Sequence, residues 1–407
     1  MRARDIAGGL RRSATSALRR RGPEPARTAI PEALLELARL GPAPLVGGRA
    51  GTVSQLSIAT VIPSFRRGSG GHATLVNLLR ELRALGHSVS LWLEDCDGRH
   101  TVERPAVTKR SFVDFFAADG LVLHTDFGAW VGADVVLATG WQTVARALML
   151  PGVGARAYLV QDHEPDFYGA SAEALWAAET YRQGLYCLAA SPWLAELLRS
   201  RYGASATHFD LAVDHAVYRP AGERQRADPP GEDLVVFYAR AVTPRRAVPL
   251  GLLALAELSR RRPGVQIALY GEARPLAAPF EHRDLGVLGD RGLAQLYSEA
   301  TVGMVLSLTN PSLIGLEMMA CGLPCVELAS ESMLASFGAD GPLELAAPDP
   351  LALCGAIEGL LDDADHRRRA ARAGLELMAE RTWERAAAQV ERGLSTAMAS
   401  AAGESRR

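Results

Sequence analysis

The chain has 407 residues, of which 48% are hydrophobic and 22% are charged, and its formal net charge at pH 7 is -2. This length favours two domains over one, and the apolar content is sufficient for large buried cores. The nearly neutral balance lacks the global basic excess that is typical of nucleic-acid-binding proteins.

Residues 1–50 are predicted to form a basic, partly disordered segment. Residues 1–27 contain eight arginines and no apolar run of the kind that a secretory signal needs. A solvated tail is expected, with contact to an anionic membrane surface as the alternative. The five cysteines lack the paired spacing of metal ligands and indicate a reducing compartment, so we expect a cytoplasmic protein without a metal, at most peripheral to the inner membrane face.

Strand-like and helix-like stretches alternate between residues 51 and 220. The apolar strand candidates lie at 56–62, 89–93, 134–139, 157–161 and 185–190. Alternation of this kind predicts a parallel sheet with crossover helices, which is a doubly wound α/β domain.

Two glycines, Gly70 and Gly71, stand between the first strand candidate and a helix whose leucines recur every ~3.6 residues. Glycine allows close approach to the backbone, and a helix start presents unpaired N–H donors, so the pair can bind an anion such as a phosphate. An ordinary turn is the alternative. His72 follows, and it either orients a ligand or caps the helix.

A polar cluster, Gln-Asp-His-Glu-Pro at 161–165, follows the fourth strand candidate. Asp162 is the leading candidate for a general base, and His163 and Glu164 are candidates for holding a substrate hydroxyl. The alternative is a loop network that orders the turn before Pro165.

A segment rich in Pro, Gly and charge is predicted to be a linker at 221–233, after which the α/β rhythm restarts over 234–382. Strand candidates lie at 234–240, 265–271 and 302–308 and in PCVEL at 324–328. Ligands of such sheets bind beyond the carboxyl ends of the strands, so two facing sheets predict an interdomain cleft.

The second domain carries two candidate anion-binding elements. Arg240 and Arg245 follow its first strand, where guanidinium groups can neutralise a diphosphate, although loop solvation is the alternative. In NPSLIGLEMMACGLPCVEL, residues 310–328, Glu317 can accept hydrogen bonds from vicinal sugar hydroxyls. Three residues at the start of that helix are candidates for binding the same donor near its phosphate: Asn310, Ser312 and Leu313.

These motifs, in this order, resemble the GT-B glycosyltransferases of the family 4-like group. That pattern is Glu, seven residues, Glu and then Ala-x-Gly-x-Pro-Val; Glu317 matches the second glutamate, and Thr309 stands where the first would be. DLAVDHAVYRP at 210–220 and GDRGLAQLYSEATVGMVLSL at 289–308 are also similar. The resemblance implies two facing Rossmann-like domains with an interdomain cleft, the first (51–220) binding the acceptor and the second (234–382) the nucleotide sugar. It also implies that a C-terminal helix, 383–400, crosses back to the first domain.

A closer resemblance is to WsaF-type rhamnosyltransferases. It rests on "VQD.EP.FY" and "E.TY..G" within residues 157–203 and on FYARAVTPRRAVPLGLLAL. The resemblance implies transfer of a sugar, usually rhamnose from dTDP-rhamnose, to a saccharide or lipid-linked glycan acceptor in cell-surface polysaccharide synthesis, with no cofactor or metal. If the reaction inverts the anomeric centre, it implies a base, and Asp162 is the candidate.

Two other functions stay open at this point. Thr309 in place of a glutamate suggests a non-catalytic carbohydrate-binding protein with a transferase-like fold. A nucleotide-sugar epimerase of the GT-B type would share the layout but would need no acceptor. The acceptor, the linkage, the stereochemistry and the oligomeric state are not predicted.

Overall fold

A computed structural model describes residues 32–46, 55–220 and 233–404. Most of the predicted basic segment and all but the last residue of the predicted linker therefore lie outside the described residues. Within the basic segment, residues 32–40 form a helix, and the chain that follows it bonds to the first domain, with Val46 N donating to Val153 O (2.9 Å).

The first domain is a seven-stranded parallel sheet in the order β3-β2-β1-β4-β5-β6-β7. Its strands are β1 (Ser57–Pro63), β2 (Ser88–Glu94), β3 (Val122–His124), β4 (Ala133–Ala138), β5 (Val153–Val160), β6 (Tyr186–Ala189) and β7 (Ala206–His208). The helices are α1 (Glu32–Leu40), α2 (Gly70–Ala84), α3 (Pro105–Phe116), α4 (Trp141–Met149), α5 (Ala172–Thr180) and α6 (Pro192–Tyr202). Helices cover both faces of the sheet, which is why its central strands are continuous apolar runs.

The second domain is a six-stranded parallel sheet in the order β10-β9-β8-β11-β12-β13. Its strands are β8 (Leu234–Tyr238), β9 (Gln266–Tyr270), β10 (Arg283–Asp284), β11 (Val302–Met304), β12 (Cys325–Leu328) and β13 (Leu343–Ala346). The helices are α7 (Val248–Arg261), α8 (Asp290–Glu299), α9 (Leu313–Ala320), α10 (Glu331–Phe337), α11 (Pro350–Asp362), α12 (Ala364–Ala379) and α13 (Trp383–Glu404). The expected strand 302–308 is shorter than predicted: its regular pairing ends at Met304, and Asn310, further along, already contacts the first domain.

Helix α7 lies directly on β8 because residue 251 is a glycine. A Cβ atom built there would stand 2.3 Å from the ring of Phe237, far inside van der Waals contact. The helix and the strand could not approach this closely with any other residue.

The last helix, α13, returns to the first sheet. Its apolar face is buried through Ala387, Val390 and Leu394, and it contacts α2, β5 and β6. On its polar side, Glu391 Oε1 lies 3.0 Å from Nε2 of the buried His87. The two domains are thus joined by this helix as well as by the connection after β7.

None of the helices in the described ranges is long and apolar enough to cross a membrane. Four of the five cysteines are buried and Cys96 is partly buried, and all five are free thiols.

Candidate active site

The candidate site lies where the carboxyl ends of both sheets face each other. The first domain contributes the loops after β5 and β6, and the second contributes the loops after β8 and β11. Strand ends of this kind are where ligands of parallel sheets bind. Every site residue predicted from the sequence lies on or beside these loops, on the glycine turn after β1, or on α9.

Arg245 reaches across the cleft. It sits in a 3-10 turn (Pro244–Arg246) after β8, and its Nε donates to Oδ2 of Asp162 at 3.0 Å. The guanidinium carbon lies 4.1 Å from the ring centroid of Phe167, which is also a first-domain residue. Its two terminal amino groups make no hydrogen bond to any residue in the described ranges. They are the part of this side chain that can take an anion.

Asp162, the predicted base, is engaged by both domains. Its Oδ1 accepts from the backbone N–H groups of His163 (2.9 Å) and Asn310 (3.0 Å), and its Oδ2 accepts from Arg245. These three hydrogen bonds occupy both oxygens of the carboxylate. Asp162 therefore lies at the cleft edge, and its carboxylate forms a contact between the two domains.

Asn310 is predicted to bind the donor, but the polar atoms of its side chain form hydrogen bonds with the first domain. Nδ2 donates to Gln161 O (3.0 Å) and Ala190 O (3.2 Å), and Oδ1 accepts from Ser191 Oγ (2.5 Å). The residue is 1% exposed. Asn310 is therefore an interdomain contact, and the expectation of donor binding through its side chain is corrected.

The prediction that His163 and Glu164 hold an acceptor is also corrected, because both point into the first domain. His163 is 1% exposed, with Nδ1 2.7 Å from Asp166 Oδ2 and Nε2 2.7 Å from the Tyr202 hydroxyl. Glu164 accepts from Trp141 N and from the Tyr158 hydroxyl, both at 2.7 Å. Burial raises the pKa of Glu164 to about 7 despite these two bonds. The alternative, a network that orders the loop, describes this geometry.

The glycine turn opens α2 as expected. Gly70 and Gly71 are exposed, and the side chain of Ser69 does not cap the helix because its Oγ lies 2.8 Å from His72 Nδ1 instead. The first N–H groups of α2 are therefore open to a ligand. Gln161 of the neighbouring loop donates to Gly71 O at 3.0 Å and fixes the turn.

His72 does not face the cleft, in contrast to its predicted role. It is 8% exposed and stacks on Phe116 with ring centroids 5.4 Å apart, near Phe65 and Phe112. Burial lowers the pKa of His72 to about 4, so the imidazole is neutral at pH 7. The imidazole can lie in this aromatic cluster because the free-energy penalty for burying an uncharged ring is small.

Glu317 lies on α9, which begins at Leu313 with Ser312 as its N-cap; Ser312 Oγ accepts from Ile314 N at 3.3 Å. Oε2 of Glu317 is buried and makes no hydrogen bond to any of the residues described. Burial raises the pKa of Glu317 to about 8, and the nearby Asp290 adds to the rise, while the Tyr218 hydroxyl opposes it. A buried carboxylate oxygen without a donor requires an explanation, and a ligand hydroxyl would supply one.

The remaining arginines differ in their surroundings. Arg246 Nη1 donates to Ser307 Oγ at 2.6 Å, and burial lowers the pKa of its guanidinium. Ser307 N in turn donates to the buried Glu327 at 2.7 Å, and burial raises the pKa of Glu327 to about 7. Arg240, half-buried at the end of β8, makes no side-chain hydrogen bond or ion pair within the described part of the chain.

Sequence reasoning missed Phe167, Ser307 and Glu327. Phe167 lies in the quoted "VQD.EP.FY" segment and could have been found there, whereas Ser307 and Glu327 carry no signal beyond their place at strand ends. No group of three His, Cys, Asp or Glu side chains in the described ranges is arranged to hold a metal ion.

Comparison with known proteins agrees with this geometry. Residues 233–339 match the family model of the WsaF C-terminal domain. Sucrose-phosphate synthase from Thermosynechococcus elongatus superposes with a TM-score of 0.62 at 20% identity, over 84% of this chain and 99% of that one. Anabaena HepE, crystallised with UDP and glucose, superposes with a TM-score of 0.61 at 15% identity, over 84% of this chain and 100% of that one.

The fold is GT-B, and the second domain is similar to the WsaF C-terminal domain. The predicted α/β architecture and the resemblance to the WsaF group are thus confirmed. The O-antigen biosynthesis protein RfbC of Myxococcus xanthus is 32% identical over 268 residues, which is 64% of this GT-B chain and 20% of RfbC. The chain therefore spans about a fifth of the length of that curated relative.

Proposed function

We propose that this GT-B protein is a glycosyltransferase that moves a sugar from a nucleoside diphosphate to a saccharide or lipid-linked glycan acceptor in surface-polysaccharide synthesis. The observation that carries the proposal is the buried Oε2 of Glu317, which has no hydrogen-bond partner among the described residues and lies on the first turns of a helix that starts at the cleft. RfbC is named for O-antigen biosynthesis, and the HepE structure contains UDP and glucose, which supports this class of reaction.

In the proposed reaction the acceptor oxygen attacks the anomeric carbon. The bond from that carbon to the diphosphate oxygen breaks, and its electron pair goes to the β-phosphate oxygen. The proton of the acceptor hydroxyl is released to solvent as the new glycosidic bond forms. Arg240, Arg245 and the N–H groups at the start of α9, around Ser312 and Leu313, stabilise the charge that develops there. Glu317 accepts hydrogen bonds from the donor's ribose hydroxyls, and the exposed turn at Gly70–Gly71 lies across the cleft to cover the phosphates.

We propose dTDP-rhamnose as the donor, on the resemblance to the WsaF group, and a reaction in the cytoplasm. Asp162 enters this proposal as the partner of Arg245, which is developed below, rather than as the base. The diphosphate charge is assigned to arginine side chains and helix N–H groups.

The test is a titration of the full chain with dTDP, UDP, GDP and ADP, followed by thermal denaturation and calorimetry. A ligand that binds only the native state raises the apparent melting temperature with concentration. We expect a selective response to dTDP that Glu317→Ala and Arg245→Ala abolish and that the control Glu376→Ala, on the exposed side of α12, retains.

Three other results would change the assignment. A selective response to UDP would support a glycosyltransferase whose donor is a UDP-sugar in place of dTDP-rhamnose. Conversion of a free nucleotide sugar without an acceptor would favour an epimerase. If none of the four nucleotides bound while glycan binding was intact, the proposed transferase activity would be refuted and a carbohydrate-binding protein would be favoured.

A further inference from the structure

The two oxygens of the Asp162 carboxylate have separate partners. Oδ1 is held by two backbone N–H groups, one from each domain, because His163 and Asn310 both donate to it. Among the described residues, Oδ2 accepts only from the side chain of Arg245. Since Oδ1 is fixed by main-chain donors, the direction in which Oδ2 points is fixed as well.

Arg245 is restrained at three places. Its Nε bonds to Asp162, the face of its guanidinium lies on Phe167, and its backbone oxygen accepts from Leu308 N at 3.1 Å. A guanidinium has five N–H groups, and the Nε–H is the one that Asp162 uses. The four N–H groups on the two terminal nitrogens are left in a fixed plane at the cleft, with the side chain 27% exposed.

We propose that Asp162 and Phe167 are positioning residues of the first domain that aim the terminal N–H groups of Arg245 at the donor diphosphate. The inference rests on the proposed function and adds that the diphosphate site of the second domain is complete only when the first domain contacts it.

The physical reason is preorganisation. A free arginine side chain loses considerable rotamer entropy when it binds a phosphate, and a side chain that is already restrained loses less. The negative charge of Asp162 by itself opposes the binding of an anion. The gain in affinity therefore comes from the orientation that Asp162 Oδ2 imposes on the Arg245 side chain. A test of this role must keep the charge at residue 162 constant.

The variant Asp162→Glu separates these effects. It keeps the negative charge but moves the carboxylate oxygens by one methylene group from the position that holds Arg245 Nε. Dissociation constants for dTDP and UDP would be measured by calorimetry on the full chain without acceptor. We expect Asp162→Glu to bind at least about threefold more weakly than wild type, and this difference to vanish in the Arg245→Ala background.

Two further variants complete the experiment. Phe167→Leu keeps an apolar side chain but removes the ring face, and it should weaken binding by about two- to fivefold while leaving the melting temperature nearly unchanged. It also serves if Asp162→Glu does not fold. The control Asp126→Glu adds the same methylene group on the loop after β3, four strands from β5, and should bind as the wild type does.

Equal affinities for Asp162→Glu and wild type would overturn the positioning role, and so would a difference that persists in the Arg245→Ala background. A fall in kcat for Asp162→Asn with unchanged donor binding would return Asp162 to the role of base. A wild-type protein that binds neither dTDP nor UDP would instead refute the proposed function itself.

Discussion

Replacing Glu317 by glutamine is expected to stabilise the protein at alkaline pH and to remove nucleotide binding. The carboxylate is buried, its Oε2 has no donor among the described residues, and burial raises its pKa to about 8 from 4.5. The folded protein therefore holds this proton more tightly than the unfolded chain does. Stability from this group is complete below pH 4.5 and is lost as the pH rises toward 8, because the ionised form is costly to bury.

The size of the effect follows from the pKa. A rise from 4.5 to about 8, at 1.36 kcal/mol for each pKa unit, corresponds to at most about 5 kcal/mol. Glu317 is only partly buried as a whole residue, which reduces the penalty, so we expect the glutamine variant to gain about 2 to 4 kcal/mol relative to wild type between pH 4.5 and pH 8.5. A substitution that stabilises the fold and abolishes nucleotide binding is expected where a ligand-binding side chain is held in an unfavourable environment.

The assay is urea unfolding of wild type and Glu317→Gln at pH 5 and pH 8.5, with nucleotide titration of both proteins at pH 7.5. Glu376→Gln, an exposed change on α12, serves as the control and should show the same small difference at both pH values. If the difference between Glu317→Gln and wild type were independent of pH, the reasoning from burial would be refuted.

Three further predictions concern the contacts around the cleft and the core. Because burial lowers the pKa of His72 to about 4, wild type should lose up to about 3 kcal/mol between pH 6.5 and pH 4 that His72→Gln does not lose, measured by urea unfolding at both pH values. Asn310→Ala should destabilise the protein by about 2 to 4 kcal/mol, because the buried groups that bond to the Asn310 side chain lose their partner. X-ray scattering should show a larger radius of gyration for this variant. An unchanged radius of gyration would contradict the role of Asn310 as an interdomain contact. Gly251→Ala should cost at least about 2 kcal/mol because the added methyl group overlaps Phe237, whereas Gly355→Ala on α11, with open space at its Cβ, should be neutral or slightly stabilising in thermal denaturation.

The architecture was predicted where the strands are long and central. The predicted strands at 56–62, 134–139 and 157–161 all correspond to strands of the first sheet, because strands buried on both faces leave continuous apolar runs. The prediction missed four short outer strands, which have two to four residues each and too few positions to show a period: β3, β7, β10 and β13.

The candidate site was predicted less evenly. Glu317 and Arg245 were predicted because a carboxylate and a guanidinium after parallel strands indicate a ligand, and in the structure both side chains have polar atoms without a partner among the described residues. His163, Glu164 and His72 are equally polar and equally close to strand ends, yet the structure buries them in internal contacts. A loop has no periodicity that tells which side of the chain faces the cleft, so the sequence could not separate these two groups.

The amino-acid sequence by itself determined the two doubly wound sheets and the loops that carry the chemistry, because burial periodicity is a local property of the chain. Only the tertiary structure decided that Asp162 pairs with Arg245, 83 residues away, and that Ser191 donates to Asn310, 119 residues away. A polar group takes whichever partner the packing of the two domains brings within hydrogen-bond distance, and that partner leaves no pattern in the neighbouring sequence.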